Sequence, residues 1–143
     1  MIKEIKIIND DIIQFGDDKF CYTEDRYKYG RTYEPITKDK IAKNIENTQE
    51  EDIDTYNIAD IEDNKGYVMS SCSHSNGYTT DFFMKIGNHI YICSFVDCRE
   101  GWMDISIAYN IDTNEFEIDK NEEAIVSDED DKIISEYAMK HYY

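Results

Sequence analysis

The sequence predicts an α+β domain: an antiparallel β-meander of about five strands over residues 67–119, an N-terminal hairpin, and helices near 37–47 and 128–141. Three observations point there. The apolar residues include 22 Ile and 12 Tyr but no Leu, a choice that suits a pleated, half-buried surface better than a helix. Apolar and polar residues alternate with a period of two through much of the second half. Only two windows show helical spacing with capping residues. At 143 residues the length fits one domain over 1–143, large enough to fold without disulfide or metal staples.

Residues 2–8 and 12–15 alternate around Asn9-Asp10-Asp11 and read as a hairpin. Ile36-Thr37 then opens the first helix, with Thr37 as cap and Ile36 and Ile41 at the two staple positions. Ile41, Ala42 and Ile45 give it one narrow apolar stripe, which marks a surface helix. Residues 48–65 are polar and acidic and read equally as a short strand or a loop. Runs at 67–72 and 78–86 flank a loop holding Asn76-Gly77, and Gly87-Asn88 forms a two-residue turn into 89–96. The strand at 102–109 places Met103, Ile105, Ile107 and Tyr109 on one face. The strand at 115–119 places Phe116 and Ile118 inward and Glu115, Glu117 and Asp119 outward. Ser127 caps the last helix, with Asp130 three residues on and acids in its first turn. Ile133, Ile134, Tyr137 and Ala138 form its buried stripe.

Charge is the strongest functional lead. The chain carries 32 acids against 15 Lys and Arg, a formal net charge of −17. That balance argues against direct binding to nucleic acid or to an anionic membrane, where Lys and Arg supply the affinity. Residues 44–63 hold eight acids and no base: Glu46, Glu50, Glu51, Asp52, Asp54, Asp60, Glu62 and Asp63. Residues 110–131 hold ten acids and only Lys120: Asp112, Glu115, Glu117, Asp119, Glu122, Glu123, Asp128, Glu129, Asp130 and Asp131. The remaining 101 residues carry 14 of each sign. The whole excess lies in two blocks.

Outward acids at every second residue of a strand stand about 6.6–6.8 Å apart, against about 3.4 Å per phosphate along one strand of duplex DNA. Two such rows side by side approach the charge density of a nucleic-acid strand. The two blocks are therefore the expected partner-binding residues, and the expected partner is a protein with a basic, nucleic-acid-binding surface. The expected function is an acidic inhibitor, a nucleic-acid-mimicking decoy of the kind phages and mobile elements direct at host defence nucleases. An immunity or antitoxin protein neutralising a basic toxin has the same physics. The bland alternative is a solvated acidic surface that aids solubility.

Other chemistry is thinly supported. Cys72, His74, Cys93 and Cys98 lack the paired spacing of zinc knuckles. With opposed residues summing to 150 across the first hairpin and 175 across the second, Cys72 faces Tyr78 and Cys93 lies opposite Phe82, which faces Val68. Cys98 projects towards residue 77. Cys72, His74 and Cys98 then share one end of the sheet, with Cys93 about 13 Å away. A small enzyme or ligand-binding site at the Cys72–His74 and Cys98–Trp102 end is the remaining reading. The chain lacks a Gly-x-Ser-x-Gly elbow and a Gly-rich phosphate loop, so no catalytic residue, metal or cofactor is expected. Asn110-x-Asp112-x-Asn114 opens like a calcium loop but lacks its central Gly, and reads as a hairpin turn. Tyr27, Tyr29 and Tyr33 with Arg26, Lys28 and Arg31 form a basic-aromatic patch. The charged, alternating start Met1–Lys6 is unlike a secretory signal, no segment reaches the roughly 18 apolar residues of a membrane span, and four unstapled cysteines suit a reducing cytoplasm.

Overall fold

A computed structural model describes residues 1–9, 12–17, 48–75, 77–98, 100–121 and 123–143, with the backbone of 19–22. The expected helix at 37–47 and the patch at 26–33 lie outside the described residues. The chain divides into two compact units, Met1–Ile61 and Glu62–Tyr143. Among the described residues the secondary structure is mainly antiparallel sheet with one C-terminal helix, broadly α+β.

The first unit holds β1 (Glu4–Ile7), β2 (Ile12–Phe15), β3 (Lys19–Tyr22) and β4 (Asp54–Asn57), in the order β3-β2-β1-β4. β1 and β2 pair as the expected N-terminal hairpin, Ile5 opposite Phe15 and Ile7 opposite Ile13. Asn9 closes the turn locally, its side-chain oxygen accepting from the Ile12 amide at 3.0 Å, as Asn does in turns. Gly16 follows at φ +66°, and its amide donates to the Glu4 carbonyl at 2.9 Å. The ambiguous 48–65 segment resolves into both forms. Short 3-10 turns at Glu50–Asp52 and Ile58–Asp60 bracket β4, which pairs antiparallel with β1. Ile5, Ile8, Ile12, Ile13, Phe15 and Ile58 are buried.

The second unit is the meander: β5 (Gly66–His74), β6 (Gly77–Ile86), β7 (His89–Val96), β8 (Trp102–Asn110) and β9 (Glu115–Phe116), in sequential order. Helix α1 (Asp128–His141) follows. Gly87, at φ +60°, takes the first position of the two-residue β6–β7 turn, where a hairpin loop favours Gly. Pairing then runs unbroken from Ile86 opposite His89 to Thr79 opposite Val96, as the sequence predicts.

Two bulges correct the sequence reading. In β5 the pairing shifts between Val68 and Ser70, so Met69 is the extra residue. Val68 faces Phe82 as expected, but Cys72 faces Thr79 rather than Tyr78. In β8, Ile107 faces Ile92 while Ile105 faces Cys93, so Ser106 is extra. Its hydroxyl donates to the Ile92 carbonyl at 3.1 Å. The bulge ends the single alternating face expected for β8. Met103, Ile105 and Ala108 pack in the cluster under α1, whereas Ile107 and Tyr109 do not join it. The expected strand 115–119 is also shorter, with regular pairing confined to Glu115–Phe116. A bridge from Ile118 to Ala124 continues it.

Helix α1 begins and ends where its spacing predicts. The Ser127 hydroxyl accepts from the Asp130 amide at 3.1 Å, satisfying one of the orphan donors of the first turn. Acids fill that turn and Lys140 and His141 the last, matching the helix dipole. Ile134 and Ala138 are fully buried against Phe82, Met84, Tyr91, Cys93, Phe95 and Ala108. Tyr142 then packs on Phe82, ring centroids 4.9 Å apart. No helix among the described residues is long and apolar enough to cross a membrane.

Candidate functional site

The C-terminal acidic block occupies the β8–β9 turn, β9, the short hairpin after it and the first turn of α1. Each piece has a local reason for its shape. The Asn110 side-chain oxygen accepts from the amides of Asp112 and Thr113 at 2.9 and 3.1 Å, and Asn114 takes a left-handed φ of 58°. This is the hairpin turn expected from the sequence. The Glu117 amide donates to the Ala108 carbonyl at 2.8 Å, and the Ile125 amide to the Glu117 carbonyl at 3.0 Å. Between them, Asp119 folds the chain back, one carboxylate oxygen accepting from the amides of Asn121 and Glu123 at 2.7 and 3.0 Å.

The nine described acids of this block separate into two kinds. Asp112, Glu115, Asp119, Glu123, Asp128, Glu129 and Asp131 are exposed. Glu117 and Asp130 are half-buried and serve the scaffold, which overturns the outward placement read for Glu117. Its carboxylate accepts from the Asn110 amide at 2.7 Å and lies 3.0 Å from His89 Nε2. The Asn110 hydrogen bond, opposed by partial burial and aided by His89, holds the Glu117 carboxyl below its ordinary value. The Asp130 carboxylate accepts from the buried Tyr91 hydroxyl, and burial first, then this bond, pushes that phenol up. His89 and Tyr91 themselves stack, ring centroids 5.7 Å apart. A connected set, Asn110–Glu117–His89 beside Tyr91–Asp130, thus pins the acidic segment to the sheet. Glu122 lies outside the described residues.

The other block is less uniform. Glu50, Glu51, Asp52, Asp54 and Asp60 are exposed on the 3-10 turns and β4. Among the described residues β4 has one strand neighbour, β1, and a charge at Asp54 discourages strand addition on its other side. Glu62 and Asp63 belong to the second unit and are ion-paired, with Lys65 at 3.1 Å and Lys85 at 2.5 Å. Glu46 lies outside the described residues.

At the other end of the meander, Cys72 is exposed opposite Thr79, and His74 Nε2 lies 2.7 Å from the Thr79 hydroxyl. Cys98 sits in a turn closed by the Gly101 amide on its carbonyl at 2.8 Å. Among the described residues, no three His, Cys, Asp or Glu side chains converge as a metal cluster. Sequence reasoning missed His89, Asn110 and Tyr91 as partners of the acids. The signal that could have found them is the strand register, which sets Asn110 opposite both His89 and Glu115.

The acidic segment is therefore a strip of exposed carboxylates on a hydrogen-bonded frame. Such a strip can attract and orient a basic surface. No family model, curated protein or solved structure matches the chain.

Proposed function

We propose that the protein is an acidic inhibitor that binds another protein through the exposed carboxylates between Asp112 and Asp131, competing with nucleic acid for a basic site. The observation that carries this reading is the division of labour within the block. Glu117, Asp119 and Asp130 are committed to the frame, which leaves six exposed acids on a backbone that the frame holds. Carboxylates held in place lose less entropy on binding than those on a disordered tail. Decoys against host nucleases, acting in the cytoplasm, are a natural setting for the protein.

The test is charge reversal at acids the frame does not use. Asp112, Glu115, Glu123 and Glu129 changed together to Lys should abolish capture of the native partner from a source-cell lysate. The wild-type complex should weaken steeply as salt rises past the range where the screening length is about 8–10 Å, and duplex DNA should displace the protein from it. A partner held equally well by the fourfold variant would remove this surface from consideration.

A further inference from the structure

Residues 66–80 are the longest stretch of the chain without Asp, Glu, Lys or Arg. They form β5 and the start of β6. Among the described residues β5 has one strand neighbour, β6, and so forms an edge of the five-stranded sheet. Edge strands expose unpaired backbone groups and are usually blunted by charge, proline or a bulge. Here the bulge at Met69 covers one part only. Beyond it, Ser70 to His74 pair regularly with β6, and Ser71, Cys72, Ser73 and His74 are exposed.

The hydrogen-bond phase of this edge follows from its neighbour. The Tyr78 carbonyl accepts from the Asp97 amide at 3.0 Å, so residue 78 directs its backbone groups towards β7. Antiparallel strands alternate, so residues 77, 79 and 81 direct theirs towards β5. Their partners there are His74, Cys72 and Ser70. Ser71 and Ser73 therefore turn their N–H and C=O groups outward.

We propose that β5 is a self-association edge: two copies pair their β5 strands antiparallel about a two-fold axis at Cys72. Ser71 of each copy exchanges both backbone hydrogen bonds with Ser73 of the other, and the two Cys72 residues meet at the non-hydrogen-bonded position between them. Such an isologous contact closes after two copies. Charge selects this occupant. A basic partner is drawn to the acidic blocks, whereas two copies of a chain at −17 repel one another, and least where they meet on a surface without charge. The β5 edge is that surface. Cα atoms at a non-hydrogen-bonded antiparallel pair lie about 4.5 Å apart, inside the span a disulfide bridges. Cys72 is therefore a built-in reporter of the pairing.

The inference is independent of the acidic inhibitor reading and has the opposite salt dependence. Sedimentation of the full chain should show a monomer–dimer equilibrium that shifts towards dimer between about 0.05 and 0.5 M salt, as repulsion is screened. Diamide, whose N=N bond takes up the two hydrogens that a pair of thiols loses, should produce a covalent dimer that is lost in Cys72→Ser and retained in Cys98→Ser. Ser73→Pro deletes an outward N–H without touching the β5–β6 ladder and should abolish the dimer. Should that variant lose its native circular dichroism, Ser71→Asp with Ser73→Asp places like charges beside the axis and should give the same loss. A wild-type chain that stays monomeric at every concentration and salt would overturn the proposal. So would a dimer that survives the edge variants, or a cross-link carried by another cysteine.

Discussion

His89 Nε2 lies 3.0 and 3.1 Å from the two carboxylate oxygens of Glu117, joining the first residue of β7 to the residue that follows β9. The contact spans 28 positions of sequence and ties the acidic segment to the centre of the sheet. With the Asn110 amide on one of the same oxygens, the carboxylate is favoured over the acid in the folded state.

A folded value below the ordinary 4.5 means that the unfolded chain takes up the proton first as pH falls. The stability from Glu117 is complete above the ordinary value and is lost as pH drops through the folded one. Glu117→Gln should cost about 1 kcal/mol at neutral pH, a figure discounted for partial exposure. The gap between variant and wild type should close at the acid end. Urea midpoints measured across pH check this; a gap independent of pH would contradict it.

Buried phenols set the alkaline limit. Burial pushes Tyr109 up to about 12, and Tyr91 is raised by burial and by its bond to Asp130. A raised folded value stabilises the protein fully below the ordinary tyrosine value, and that stability is lost as pH rises through the folded one. Phenolate absorbance from these residues should therefore appear only with cooperative unfolding. Tyr91→Phe, which leaves Asp130 without its donor, should cost about 1 kcal/mol near neutrality.

Ile107 and Phe116 look equivalent in sequence but not in the fold. Ile107 is 2% exposed, so Ile107→Ala should cost about 2–5 kcal/mol. Phe116 is half-buried, packed edge-on against Tyr109 at 5.1 Å between centroids, and Phe116→Ala should cost about 1–2 kcal/mol, a discount on the fully buried case. Equal denaturation midpoints for the two variants would show that β9 packs more deeply than this.

The thiols should differ in reactivity. Cys72 is exposed, whereas Cys93 is buried, and that burial raises its thiol far above the ordinary value. A disulfide reagent should modify Cys72 quickly in the native protein and Cys93 only on unfolding. Denatured, unreduced protein should return all four of the chain's thiols; fewer would place one in a disulfide.

What the sequence made legible was local. The span of α1, the β1–β2 hairpin and the β6–β7 register follow from caps, turn residues and short-range periodicity. The two bulges left no such trace, because alternation within one strand says nothing of an extra residue opposite its partner. Met69 and Ser106 therefore shifted the assignments of Cys72 and of one half of β8. The exposed acids were legible as a charge run. Glu117 was not, since its role depends on Asn110 and His89, which reach it only once three strands are in register.

The Ser106 bulge gives β8 two phases, and this bears on how mutations in the strand combine. Ile105 and Ala108 share the cluster of Ile134 and Ala138 under α1, whereas Ile107 and Tyr109 stand outside it. Energetic coupling between substitutions is largest for residues in contact and fades between separate sites. A pairwise mutational scan of β8 against α1 should therefore show epistasis at Met103, Ile105 and Ala108 and near-additivity at Ile107 and Tyr109. The coupling pattern changes phase at Ser106. Deleting that single residue should leave both pairings in place, Ile105 opposite Cys93 and Ile107 opposite Ile92, and give β8 one regular alternation that still directs Met103, Ile105 and Ala108 at the helix.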